Sequence, residues 1–276
     1  MRRFSSSSSA FRTTLATVIL AGCAVDAPVG ISPLDVAEPS LAVTASVAPV
    51  VPLLQTTLDD VNSVMRPKYG VGTHATITTS PANNFVVAHV AKGLLAHASG
   101  ERILYPQVEN GVQNVELDKG TMDFWYRPNY DSNNNVKYTI AGTGSWHHPV
   151  PNGLHFGKHN ASNQNQLFLL YFDPDGTRQE ANVKATDYSW KAGTWQRITI
   201  TWDFTVAPGV QNLHIYLNAV ELPLSGTVMR GPRTMVSESS NEFIYIGARD
   251  PHGNIIANGT YDQFRIFDRV MKPTGR

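Results

Sequence analysis

Residues 195–202, WQRITITW, alternate so strictly that little but an amphipathic strand accommodates them. Ile198, Ile200 and Trp202 fall on one face, and Arg197, Thr199 and Thr201 on the other. After a loop carrying Pro208 and Gly209, residues 213–217 alternate again, with Leu213, Ile215 and Leu217 opposed to His214 and Tyr216. Neither strand can bury its apolar face alone, so the two together predict an antiparallel pair over a shared core. From about Tyr69 onward, short strand-like runs are separated by Gly, Asn, Pro and Asp clusters, with no long helical pattern. The pattern predicts strands at 74–79, 84–90, 93–97, 101–105, 113–117, 120–127, 136–142, 153–157, 166–172, 181–186, 195–202, 212–217, 243–247 and 261–267. LFLLYF at 167–172 is apolar on both faces, which predicts a central strand covered on both sides, and DPDG at 173–176 turns the chain after it.

The 276 residues accommodate one large β domain behind a tail. The tail begins MRRFSSSSSAFR and continues into the apolar run LATVILAG, the layout of a signal peptide over residues 1–22. That run is about half the ~20 residues a membrane-spanning helix needs. LAGC at 20–23 resembles the bacterial lipobox, which implies cleavage before Cys23 and lipidation of its thiol. Cys23 is the only cysteine, so an internal disulfide is excluded. Ala24 follows the cysteine where many lipoproteins retained at the inner membrane have Asp; the resemblance therefore implies the outer membrane or cell surface. Residues 23–66 then read as a flexible tether, broken by Pro28, Pro33, Pro39, Pro49 and Pro52. Within it, Leu54, Leu58, Val61 and Met65 recur at the spacing of a short helix. The domain proper is expected at 67–276. A formal net charge of zero and the absence of a Lys/Arg-rich run leave no electrostatic footprint for nucleic acid.

GTMDFWYRP at 120–128, WKAGTWQRITITWD at 190–203, LHIYLNAV at 213–220, FIYIGA at 243–248 and NGTYDQFRIFDRVM at 258–271 resemble the laminin-G-like branch of the concanavalin A-like lectin/glucanase superfamily. The likeness covers about residues 80–272. It implies an all-β fold, a two-sheet antiparallel jelly-roll sandwich, often carbohydrate-binding and sometimes holding a structural calcium. One position departs from the family: Ala219 stands where it usually has Gly in a Y-x-N-G turn.

Catalytic chemistry finds no complete constellation. Glu116-Leu-Asp118-Lys-Gly-Thr121 is the nearest approach to the glucanase E-x-D-x-x-E strand, in which alternate carboxylates project into a cleft, and its third carboxylate is missing. YSWKAGTWQ at 188–196 is similar to one strand of the alginate lyases. The R-x-E-x-R and Q-x-H strands that would make Tyr188 or His214 catalytic are absent, and no catalytic residue is assigned. His147, His148, His155 and His159 cluster near Trp146. Adjacent histidines on extended chain point opposite ways, which argues against zinc, whereas Trp146 with His147 and His148 could stack on a sugar and hydrogen-bond its hydroxyls. Tyr130 and Asp131 join them as expected ligand contacts in the loop at 129–135. Asp131-Ser-Asn133-Asn-Asn135 begins like a calcium loop, but Val136 stands where the sharp turn needs Gly, so a polar hairpin tip is expected. In the last strand, alternation places Asp262 on the face of Phe264 and Ile266, where its carboxylate needs a partner: an arginine, a backbone amide or, by the resemblance, calcium.

The sequence thus points to a lipid-anchored binding module for a glycan or another extracellular ligand. A polysaccharide-cleaving enzyme and a protein-binding adhesive module are the alternatives. Trp195, Ile198, Ile200 and Trp202 are expected to pack, leaving recognition to the loops at 129–135 and 145–159 and to the concave sheet.

Overall fold

In the computed structural model the two amphipathic runs pair antiparallel, Ile200 opposite Ile215 and Trp202 opposite Leu213. The structure describes residues 49–274 apart from 73–75, 78–83, 99–100, 145–152, 173–177, 227–230, 234–236, 240 and 248–254. The chain runs through β1 (Leu54–Thr56), a one-turn helix α1 (Val61–Met65), β2 (Thr76–Ile77), β3 (Phe85–Val87), β4 (Lys92–Ala96) and β5 (Arg102–Pro106). A ribbon of β6 (Val108–Glu109) and β7 (Val112–Gln113) follows, then β8 (Lys119–Pro128), β9 (Tyr138–Thr143), β10 (Gly153–Lys158) and β11 (Leu167–Phe172). The remainder is β12 (Arg178–Val183), β13 (Gln196–Asp203), β14 (Leu213–Leu217), β15 (Val220–Glu221), β16 (Ser225–Gly226), β17 (Phe243–Gly247) and β18 (Gly259–Phe267).

Two antiparallel sheets result. The first has the order β15-β14-β13-β8-β18-β4-β3, and the second β16-β12-β11-β10-β9-β17-β5-β2. The last strand, β18, sits in the middle of the first sheet: β8 pairs along one edge, while β4 and β1 share the other. Alternation decides what lies between the sheets. Met122, Phe124 and Tyr126 of β8, Ile198, Ile200 and Trp202 of β13, and Tyr261, Phe264 and Ile266 of β18 form one wall of the core. Leu154, Phe156, Leu169, Tyr171, Ile244 and Ile246 of the second sheet belong to the same buried cluster. Each such side chain contributes ~1.5–3 kcal/mol on burial. Two of the largest core aromatics also have their polar tips satisfied. Trp202 Nε1 donates to the Glu116 carbonyl at 3.0 Å, and the Tyr261 hydroxyl to the Ile140 carbonyl at 2.7 Å.

β11 has all six residues buried between β10 and β12, as its two-sided apolarity predicts. The expected helix at 53–65 is corrected. Leu54–Thr56 is instead a strand on β18, a positive φ at Leu58 redirects the chain, and only the turn capped by Asp60 is helical. Because Leu54, Leu58 and Val64 are fully buried, the folded domain begins well before the expected boundary at 67.

Candidate functional site

Beside the sandwich, three connections meet: the loop between β8 and β9, the loop between β12 and β13, and the two-residue turn from β14 to β15. They enclose an open cleft of about 620 Å³. Asp131 ties the first two together. Its Oδ1 accepts the Ala192 N–H at 2.8 Å and its Oδ2 faces Lys191 Nζ at 3.2 Å, contacts that hold its pKa below the usual carboxylate range. The Ser132 N–H donates to the Trp190 carbonyl and the Gly193 N–H to the Pro128 carbonyl, so the two loops are stitched along their length. Asp131 is therefore the residue that positions the wall of the cleft, while Ser132 and Asn133 line it.

The aromatic part of the lining comes from Tyr188 and Trp190, whose rings lie 5.1 Å apart. The Tyr188 hydroxyl donates to the Asn165 carbonyl. Trp190 is 3% exposed, and its Nε1–H is buried without an acceptor. The polar part is interlocked. Asn218 Nδ2 donates to Gln196 Oε1 at 2.8 Å, Gln196 Nε2 to Thr194 Oγ1 at 3.0 Å, and Thr194 Oγ1 to the Lys191 carbonyl at 2.6 Å. Among the described residues no carboxylate lines the cleft. The turn that presents Asn218 places both Asn218 and Ala219 at positive φ, +52° and +68°.

Beneath the β8–β9 loop lies a buried ammonium. Lys158 is fully buried, and the three N–H groups of its Nζ are shared among five oxygens: the Asn134 carbonyl at 2.7 Å, Asn134 Oδ1 and the Val136 carbonyl at 3.3 Å, the His159 carbonyl at 2.9 Å and Asn165 Oδ1 at 3.2 Å. Burial pulls its pKa down to about 8. The Asn-rich run at 131–135 is thus an oxygen nest filled by a side chain of the same protein, and this is more than the solvated hairpin tip that the sequence suggests.

Several expected site residues stand elsewhere. Tyr130 is corrected from a ligand contact to a packing residue: it is 5% exposed and stacked on Tyr138 at 3.7 Å. Trp146, His147 and His148 lie outside the described residues, as does Cys23. His155 meets the Tyr245 hydroxyl at 2.8 Å and His159 meets Glu180 at 2.7 Å, each in its own contact. Against burial, which alone would raise it, His159 and Arg178 hold the Glu180 carboxyl down at about 2. Glu116 and Asp118 lie outside any strand, so alternation does not align them. Tyr188 lines the cleft, whereas His214 pairs with Glu221 across the β14–β15 hairpin.

Asp262 does not share a face with Phe264 and Ile266. Gln263 takes a φ of +53° and the register to β8 shifts between Asp262 and Arg265, so two residues stand where one is expected. The bulge turns Asp262 to the outer face beside Trp125, where it is fully buried. Its Oδ2 accepts the Val90 N–H at 2.6 Å, and Oδ1 has no hydrogen bond of good geometry, although the Gln263 amides lie close enough to favour the anion. Burial raises its pKa to about 6. Calcium takes six to eight oxygen ligands. Among the described residues no three His, Cys, Asp or Glu side chains gather to hold a metal, and nearby Asp59 already accepts the Lys92 N–H; the donor set does not fit calcium. Trp195 also departs from expectation. It is half-buried on the outer face, 5.1 Å from the Arg127 guanidinium, with His89 edge-on to it and stacked at 3.8 Å on Trp125.

A family model, Laminin_G_3 of the concanavalin A-like lectin/glucanases superfamily, matches residues 105–274. The chain belongs to this superfamily. A search of curated proteins finds no match. Among solved structures, the botulinum neurotoxin serotype D binding domain is 15% identical with a TM-score of 0.50, covering 80% of this chain and 48% of that one. Domain 4 of AbnA, a GH43 extracellular arabinanase from Geobacillus stearothermophilus in complex with arabinotriose, is 15% identical with a TM-score of 0.48, covering 79% and 92%. A Trypanosoma rangeli sialidase gives 16% and 0.48, covering 68% and 27%. The chain thus spans about half of the toxin domain and about a quarter of the sialidase, and the toxin-domain likeness speaks to the fold alone.

The sequence contains signals for what was missed. Trp125 is the outward member of DFWYRP, a large aromatic at a position where alternation calls for a polar residue. Trp190 and Trp195 flank the Lys-Ala-Gly-Thr turn, and a pair of tryptophans around a loop is itself an indicator of a built surface.

Proposed function

We propose that this chain is a non-catalytic, lipid-anchored module of the bacterial cell envelope that binds carbohydrate in the cleft between the β8–β9 and β12–β13 loops. The observation that carries the reading is Trp190, an aromatic ring in the lining whose indole N–H is buried without an acceptor. An unmet donor of this kind costs ~1–3 kcal/mol in the free protein. A sugar hydroxyl or ring oxygen that reaches the floor of the cleft would relieve it, the ring itself being packed against Tyr188 and Tyr130. The surrounding amides and hydroxyls of Asn133, Ser189, Thr194, Gln196 and Asn218 both donate and accept, which suits polyols. About 620 Å³ lies within the 300–1,000 Å³ of small-molecule sites. Among the described residues the lining includes no carboxylate of the acid and nucleophile pair that a glycosidase uses. The anchor and the envelope location rest on LAGC at 20–23 and the Ala/Val/Pro-rich stretch after it, with Ala24 favouring the outer membrane.

Trp190→Phe tests this, because it removes the N–H while keeping an aromatic six-membered ring, with three fewer heavy atoms than the indole. Titration calorimetry against a panel of neutral oligosaccharides is expected to find a binder, and the variant to bind it about fivefold or more weakly. Absence of binding across the panel, or unchanged affinity in the variant, refutes the reading.

A further inference from the structure

The outer face of the first sheet carries a second concavity that the cleft does not use. It holds about 160 Å³, under the segment 271–274 that follows β18. Among the described residues Arg197, Arg265 and Lys272 line it against a single carboxylate, Asp123, in a chain whose formal net charge is zero. Asp123 is almost fully taken up. Arg197 Nε and Nη2 donate to its two oxygens at 2.9 and 3.3 Å, Thr199 Oγ1 donates at 2.7 Å, and Arg265 Nη2 donates as well. One carboxylate cannot neutralise three cations, and the donors outnumber its lone pairs. Arg265 Nε–H is buried with no acceptor, and Arg197 Nη1 has only the Thr274 carbonyl at 3.3 Å. The concavity therefore has excess positive charge and spare N–H groups.

Its neighbours on the same face are aromatic. Arg197 is the cross-strand partner of Trp125, which lies two residues along β8 from Asp123, about 7 Å at the strand rise. Beyond Trp125 stand His89, stacked on it, and the Trp195–Arg127 pair. Arg127 makes no ion pair within 4 Å among the described residues and has only two long hydrogen bonds, at 3.4 and 3.5 Å. A face that offers guanidinium donors next to tryptophan matches a ring that bears an oxyanion.

We propose that this face is a second binding site, for the carboxylate or sulfate of an acidic saccharide, with the anionic group held by Arg265, Arg197 and Lys272 and the sugar ring directed toward Trp125. It is separate from the cleft at Trp190 and does not depend on it.

The purified protein is titrated with a galacturonate oligosaccharide, a heparin-derived oligosaccharide and a neutral oligosaccharide, at 50 and 300 mM salt. At least one acidic ligand is expected to bind, with affinity falling at the higher salt. Lys272 is exposed and takes no part in the hydrogen bonds to Asp123, and Lys272→Glu sets a carboxylate before the spare guanidinium N–H groups; it should weaken acidic binding about tenfold and leave neutral binding unchanged. Arg265→Lys retains the charge beside Asp123 and removes the spare Nε–H, and should weaken it severalfold. Trp190→Phe should not alter it. Galacturonate binding identifies a carboxylate and heparin binding a sulfate, and either supports the site. No acidic binding, equal binding of acidic and neutral ligands, indifference to Lys272→Glu, or loss of acidic binding in Trp190→Phe overturns it, the last by placing the acidic ligand in the cleft.

Discussion

Replacing Lys158 by Met removes the ammonium while keeping nearly the same length of chain, and two opposing effects decide the outcome. The pKa falls from 10.5 to about 8 on burial, which at 1.36 kcal/mol per unit means that holding the charged form in the folded state costs roughly 3 kcal/mol. Met is relieved of that cost. It also removes three N–H donors that five oxygens share, and hydrogen bonds from a charged donor are worth ~1.5–3 kcal/mol each. The two shortest, at 2.7 and 2.9 Å, already offset the relief, and the third N–H, shared among the three longer contacts, tips the balance. The variant is expected to lose about 2–4 kcal/mol, with the β8–β9 loop loosened around Asn134. The pH dependence has a definite sign. Between about 8 and 10.5 the unfolded wild-type chain binds more protons than the folded one, so this residue raises wild-type stability as pH rises through that window and contributes no slope below it. The gap between wild type and variant should therefore widen from pH 7.5 to 9.5. Urea unfolding followed by tryptophan fluorescence at both values reads it. A loss below ~0.5 kcal/mol, or a gap that narrows with pH, would refute the view that the ammonium holds the loop.

Two further substitutions probe the backbone and the buried carboxylate. Ala219→Gly relieves an alanine held at a φ of +68° and should raise the urea midpoint by the equivalent of ~1 kcal/mol; an unchanged midpoint would mean that the turn carries no strain. Asp262→Asn should stabilise the protein by about 2 kcal/mol at pH 7.5. The folded carboxyl, raised to about 6 by burial, binds protons more readily than the unfolded one, so wild-type stability falls as pH rises from 3.8 through 6, and the advantage of Asn should vanish near pH 4. A variant no more stable than wild type at pH 7.5 refutes this.

The architecture was legible where one period held without interruption. Ile198, Ile200 and Trp202, or the doubly apolar LFLLYF, could lie only where they do. Legibility failed at single residues that break the period. Gln263 adds one residue to β18 and sends Asp262 to the opposite face, and no alternation rule anticipates a bulge whose cause lies in the pairing of β18 with three different strands. Tyr130 was misplaced because a tyrosine beside a polar loop has the same local sequence whether its ring points out to a ligand or in toward Tyr138. Lys158 was invisible for a related reason: its five oxygen partners come from residues up to 24 positions away, and most are backbone carbonyls, which no side-chain motif records.

The placement of β18 bears on the order in which the molecule can form. The strand that completes the middle of the first sheet is the last of the described strands in chain order, and it is also the strand to which Leu54–Thr56, near the start of the domain, attaches. Until residues 259–267 are available, β8 and β4 are open edges and the apolar faces of both sheets lack their shared cover. In a chain that lacks residues 259–267 those edges are unpaired, the kind of surface on which chains add to one another, and β18 covers them while joining the first strand of the domain to its last.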